Sequence, residues 1–154
     1  MTPRHLPATA AAVVATAVAG GLGTDVSSRW YARLDKPGWQ PPGWVFGPAW
    51  TSLYALIAVG SARALDRAGP EERRAYAAAL GANLVLNTGW TWLFFTAKRP
   101  RWALAEILVL EASTLDLVRR TRRLDPAGAR LLVPYAGWVG FATALTASIS
   151  RRNR

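Results

Sequence analysis

The chain has 154 residues, enough for one domain, with 51% hydrophobic side chains and 19 Lys and Arg against 9 Asp and Glu, a net charge of +10. It has no cysteine, and His5 is its single histidine, which excludes disulfides, iron–sulfur clusters and thiolate metal sites and argues against a His-ligated metal or haem iron. The bases fall in short clusters with neither zinc-finger spacing nor an aromatic-interleaved basic helix, so no nucleic acid is expected as a partner.

Five stretches divide the chain. Leu6–Thr24, Val45–Ala62, Ala75–Ala97 and Leu131–Ile149 carry no charge, and Trp102–Val118 is apolar apart from three acids. Their lengths of 19, 18, 23, 19 and 17 residues approach the span of a hydrocarbon core, which takes about 20 helical residues. The arginine clusters between them suit lipid head groups. The expected architecture is an all-α membrane protein, multi-pass and in contact with the bilayer. It is a five-transmembrane-helix bundle forming one domain over residues 1–154, with a Pro/Trp-rich loop between helices 1 and 2. A signal peptide is the rival reading of Leu6–Thr24, but its apolar run exceeds the usual stretch of about 7 to 15 residues. Ten bases on one side of such a bundle against nine on the other leave its orientation open.

In the first stretch Ala15, Ala19 and Gly23 recur every fourth residue, as do Ala75 with Ala79 and Ala77 with Gly81 in the third. Small residues at this spacing let helix backbones approach, and packing within the chain is the favoured role. Residues 30–54 follow, WYARLDKPGWQPPGWVFGPAWTSLY, with four tryptophans, two tyrosines and four prolines. Proline spacing makes Lys36–Pro42 a stiff, non-helical strap. Hung with indoles, such a strap is either an interfacial anchor or a lid. Gly69-Pro70 breaks the chain before the third helix, Lys98-Arg99-Pro100 turns into the fourth, and Asp125-Pro126 caps and opens the fifth. Pro134 is expected to kink that last helix.

Three helices carry aromatic and polar stripes at helical spacing: Phe46, Trp50, Tyr54 and Ile57; Asn83, Asn87, Trp90 and Phe94; Pro134, Trp138, Phe141 and Leu145, with Ala142 beside them. Ordinary packing faces would read the same way. Two amides one turn apart within hydrocarbon, however, each require a partner. Trp50, Trp90 and Trp138 also lie inside spans rather than at their ends. Together the stripes outline an aromatic pocket capped by the strap and suited to a flat apolar molecule. On the fourth helix Glu106, Glu111 and Asp116 are spaced by five and share no face. Asp116 is expected to pair with Arg119 or Arg120, Glu106 to reach the surface, and Glu111 to be the costly one. No conventional catalytic motif is present.

The run Trp30-Tyr31, Lys36-Pro37-x-Trp39-x-Pro41-Pro42-x-Trp44, Phe46-Gly47-Pro48-x-Trp50-Thr51, Tyr54, Leu86-Asn87-x-x-Trp90, Phe94-Phe95, Trp102-Ala103-Leu104, Pro134-Tyr135-x-x-Trp138 and Phe141-Ala142-Thr143 resembles the TspO/MBR family. These are the tryptophan-rich sensory proteins related to the translocator protein, or peripheral benzodiazepine receptor. The resemblance implies a five-helix bundle in the bacterial cell membrane, in some cases a homodimer. Its pocket would bind porphyrins such as protoporphyrin IX or haem as ligand, with no cofactor required. It also implies binding of benzodiazepine-type drugs, and of sterols in animal members. Ligand-binding positions carried over are Trp39, Trp50, Asn87, Trp90, Trp138 and Ala142, with Tyr54 and Phe94 beside them and Asn83 where the family commonly has Gln. Porphyrin sequestration, transport or sensing is the implied role. The alternative is light- and oxygen-dependent degradation of protoporphyrin IX, with Trp50 and Trp138 as the catalytic residues. Thr146 and Ala147 replace the Asn and aromatic residue expected there, so the sterol-recognition pattern of animal relatives is missing.

Overall fold

The computed structural model describes all residues from Met1 to Arg154. It contains six α-helices and no strand: α1 (Leu6–Gly23), α2 (Arg29–Arg33), α3 (Phe46–Arg67), α4 (Pro70–Thr91), α5 (Pro100–Leu124) and α6 (Pro126–Arg152). Five are long. The sixth, α2, lies in the loop after α1, where Ser28 accepts a hydrogen bond from the Tyr31 amide and Asp25 closes a turn onto Ser27. A five-residue helix leaves no periodicity to read, which is why the sequence shows only a loop there.

Proline opens α4, α5 and α6 within their first turn, where the missing amide hydrogen has no intrahelical partner. Asp125 caps α6 by accepting from the Ala127 amide, and it also receives Arg63 Nε at 2.6 Å and contacts Arg67. Arg4 and His5 donate their amides to the Asp66 carboxylate, and the His5 ring pairs with it. One end of the bundle is thus tied by two aspartates. Pro134 lies on an exposed face of α6, which continues as a helix through it.

The long helices close a ring in the order α1, α3, α6, α5, α4 and back to α1. Helices α3 and α4 are joined by Ala68 and Gly69 alone, yet α1 lies between them. A core of Leu53, Ile57, Leu65, Tyr76, Leu84, Ile107, Leu110, Leu117, Leu132 and Val139 packs between the helices. A smaller cluster of Phe94, Ala103, Leu145 and Ile149 lies toward the strap. Apolar side chains also point outward: Val14, Val18, Leu22, Val85, Leu108, Val109, Leu115 and Val133 are all more than half exposed. That is the arrangement of a helical protein solvated by lipid. Three segments, Leu6–Gly23, Gly43–Arg67 and Pro126–Arg152, are long and apolar enough to cross a membrane.

Of the small-residue stripes, the one on α1 packs closely and the one on α4 does not. Gly81 has open space around it and Ala77 is exposed, so that face of α4 packs against nothing in the chain. Backbones also approach closely where α3 crosses α6, and a Cβ on Gly60 would lie 2.9 Å from the Gly128 carbonyl. On α3, Gly60 begins a buried run of small residues spaced by four, with Ala64 and Ala68, which the sequence reading passes over. On α1, Ala19 and Gly23 seat an indole: Trp92 Nε1 donates to the Ala19 carbonyl, and its ring leaves no room for a Cβ on Gly23.

Candidate functional site

A cavity of about 730 Å³ lies inside the ring beneath the strap. That volume is within the range of about 300–1,000 Å³ found for small-molecule sites. It exists because α1 offers only Ala17, Gly20 and Gly21 to its wall, leaving the space that larger side chains would fill. Opposite stand the rings of Phe46, Trp50 and Tyr54 from α3, Trp90 from α4 and Trp138 from α6. Trp50 and Trp138 meet edge to face, with centroids 6.4 Å apart. Trp50 is tilted over Tyr54 at 5.3 Å, and Phe46 adds an edge to Trp138 at 5.8 Å. Such geometry holds each ring by its neighbour and still leaves faces free for a guest.

After Thr91 the chain winds through a π turn, Trp92–Thr96, in which Ala97 donates to the Trp92 carbonyl five residues back. The extra residue changes the rotation, so that Phe94 and Phe95 both line the cavity while Trp92 turns to α1. Phe94 stacks on Trp90 at 5.2 Å and 19°. No periodicity in the sequence announces this turn.

Of the two amides, Asn87 lines the cavity and Asn83 does not. They belong to one relay. Tyr54 donates its hydroxyl hydrogen to Asn87 Oδ1 at 3.0 Å, and Asn87 Nδ2 donates to the Tyr135 hydroxyl at 3.1 Å. Tyr135 in turn donates to Asn83 Oδ1 at 2.9 Å, and Asn83 Nδ2 donates to Ser113 and Thr114. The relay crosses α3, α4, α6 and α5 and satisfies both amides with protein partners, as burial demands. Asn83 is fully buried one turn further from the strap, so its expected place on the ligand wall is corrected to one behind it. Tyr135, the hub, stands out in the sequence only as part of the Pro134-Tyr135 motif.

Trp39 is also corrected. It follows Gly38 in a turn, is 52% exposed, and packs edge-on against Phe141 over the outer surface of α6. There it borders a second, shallower hollow with Ala144, Ala147, Ser148, Arg151 and Arg152. Ala142 does line the inner cavity, as do Trp50, Tyr54, Trp90, Phe94 and Trp138.

The strap closes the cavity with Tyr31, Lys36, Gln40, Pro41, Pro42 and Gly43. Residues 36–42 are non-helical, held by an Asn153 clamp that accepts from the Asp35 amide and donates to its carbonyl. Trp30 packs on Phe94 and Tyr31 on Phe95. On α5, Asp116 pairs with both Arg119 and Arg120. Glu106 does not reach the surface as expected. Its carboxylate oxygens are buried without partners, one of them 3.5 Å from where a Gly89 Cβ would stand, and Glu111 lies similarly against Gly140. The carboxyls form no pair, and no group of His, Asp and Glu could hold a metal ion.

Fold and site together define a helical membrane protein with an aromatic, amide-bearing cavity inside its bundle. The TspO/MBR family profile matches residues 8–152, and the chain belongs to that family. It is 37% identical to the human protein named Translocator protein, over 81% of this chain and 75% of that one. It is 39% identical to the Tryptophan-rich sensory protein of Cereibacter sphaeroides, over 80% and 77%. The pig Translocator protein is 33% identical across the whole of this chain and 94% of its own length.

Proposed function

We propose that this chain crosses the bacterial cell membrane five times and binds tetrapyrroles, protoporphyrin IX or haem, within its bundle, for porphyrin sequestration, transport or sensing. The reading rests above all on a cavity of about 730 Å³ whose walls present indole and phenyl faces and one amide. A planar macrocycle gains most from stacking on such faces, and Asn87 can spare one N–H for a polar edge. No His, Cys or Met lines the cavity, and the contact its walls favour is stacking on the macrocycle. The two proposed spans beyond those three apolar segments are α4 and α5, the third and fourth in chain order; both carry charge at their ends, and α5 also holds Glu106, Glu111 and Asp116.

Protoporphyrin IX titrated into the detergent-solubilised chain should quench tryptophan fluorescence with micromolar affinity or better. Trp50→Ala and Trp138→Ala should each weaken that binding about fivefold or more, since an aromatic stacking platform contributes about 1–3 kcal/mol. Unchanged affinity in both variants would refute the site. A second reading, photo-oxidation of bound protoporphyrin IX with oxygen as oxidant, draws on the adjacency of Trp50 and Trp138 on one wall. Its mark is a coloured product formed under illumination and absent from Trp138→Phe. Bleaching no faster than that of free porphyrin would dismiss it.

A further inference from the structure

One group on the cavity wall is unlike the rest. Lys36 is its only charged residue, and no carboxylate lies within ion-pair distance of it. The neighbouring Asp35 is engaged by Arg152 and by the Asn153 clamp instead. Lys36 is half-buried, with its ammonium 4.4 Å from the centre of the Tyr31 ring and donating to the Tyr31 carbonyl, with a longer contact to that of Leu34. Two carbonyls leave one of three N–H donors for another acceptor. Nearby, Gln40 donates to the Tyr31 hydroxyl while its own carbonyl oxygen is buried without a partner. The polar edge of the strap is therefore incomplete, and its charge is uncompensated.

We infer that Lys36 is a specificity residue that takes an anionic substituent of the cavity ligand, so that the site selects flat aromatic molecules bearing a carboxylate at one edge over their neutral analogues. The inference rests on the tetrapyrrole-binding reading above and adds a direction to it. The macrocycle stacks among Trp50, Trp90 and Trp138, and its acid side chains point to the strap. A lone cation at the rim of an apolar cavity attracts an anion more strongly than the same cation in water, because the surroundings screen it less. Tyr31 preorganises it: the ring and carbonyl hold the ammonium in place before the ligand arrives.

The test compares protoporphyrin IX, which has two free propionates, with its neutral dimethyl ester, in the full-length chain and in Lys36→Met. The variant keeps an unbranched stem of similar reach and removes the charge. Protoporphyrin IX binding should weaken about tenfold, equivalent to about 1.4 kcal/mol, while ester binding should change by no more than about twofold. Comparing each ligand between the unaltered chain and the variant in the same detergent cancels micelle partitioning, and retained ester binding shows that the variant is folded. Lys36→Arg should restore the preference for the acid, and Lys36→Gln carries the same comparison should Lys36→Met not accumulate. Equal weakening of both ligands would reduce Lys36 to a strut of the strap and overturn the assignment. So would no weakening of either. Failure of the unaltered chain to bind either compound would instead overturn the tetrapyrrole reading itself.

Discussion

Tyr135→Phe removes a single oxygen from the middle of the relay. The side chain has no exposed surface, so water cannot replace what is lost. The deletion leaves Asn83 Oδ1 without its donor at 2.9 Å and one N–H of Asn87 without its acceptor at 3.1 Å. An unpaired buried group costs about 1–3 kcal/mol, whereas interhelical hydrogen bonds between membrane helices average nearer 0.6 kcal/mol because unfolded helices find other partners. Asn83 is locked by Ser113 and Thr114 and cannot turn away, while Asn87 borders a cavity where it can rotate. The larger figure therefore applies to the first and the smaller to the second, giving about 2–3 kcal/mol in all. At about 2–4 °C per kcal/mol for a chain of this size, Tm in detergent should fall by about 5–10 °C. Asn83→Leu in the Tyr135→Phe background should lose less than the sum of the two single changes, because the second removes a group the first has already orphaned. A Tm within about 1 °C of the unaltered chain would refute the relay as a stabilising element.

Gly60→Ala pushes a methyl to within 2.9 Å of the Gly128 backbone and 3.3 Å of Leu132, so α3 and α6 must part, at about 1–3 kcal/mol; Gly137→Ala, with nothing within 4 Å, should hold or raise Tm. Burial pushes the Asp125 carboxyl up, but Arg63 and Arg67 outweigh it and hold the group below its ordinary 3.8. Its contribution is thus complete above pH 3.8 and lost as pH falls through the lower folded value; an Asp125→Asn chain should be less stable at pH 7 and show a smaller acid-induced loss, as followed by thermal melts. Asn153→Ala frees the strap at Asp35, and stopped-flow release of protoporphyrin IX should quicken by about threefold to tenfold with little change in Tm, for the loss of two partly exposed hydrogen bonds. Equal release rates would show that the strap does not gate the cavity.

The long helices were legible because charge and apolar length alternate along the chain, and lipid exposure leaves that pattern intact on every outward face. Most of the cavity wall was legible as well, since Trp50 with Tyr54 and Trp138 with Ala142 lie one turn apart and must share a face. The same rule misplaces Asn83. Spacing by four fixes direction around a helix but says nothing of depth along it, and the cavity ends before the turn that carries Asn83. A strap has no period at all, so spacing does not say whether the Trp39 indole faces in or out, and in the structure it lies outside the cavity lining against Phe141. Gly60, Gly128 and the π turn at Trp92–Thr96 depend on which helices meet, information held in the ring order rather than in any one segment. Charge patterning set Glu106 at a helix end, whereas Gly89 on the facing helix leaves room for it inside.

The central claim is that the space among these rings is where the guest resides. Ala142 lies on that wall, half-buried, its side chain a single methyl. A phenyl group there would project into the cavity without disturbing the relay. Titrating protoporphyrin IX into Ala142→Phe should show binding weakened at least tenfold while Tm is kept or raised. Full-strength binding by that occluded chain would place the guest somewhere else.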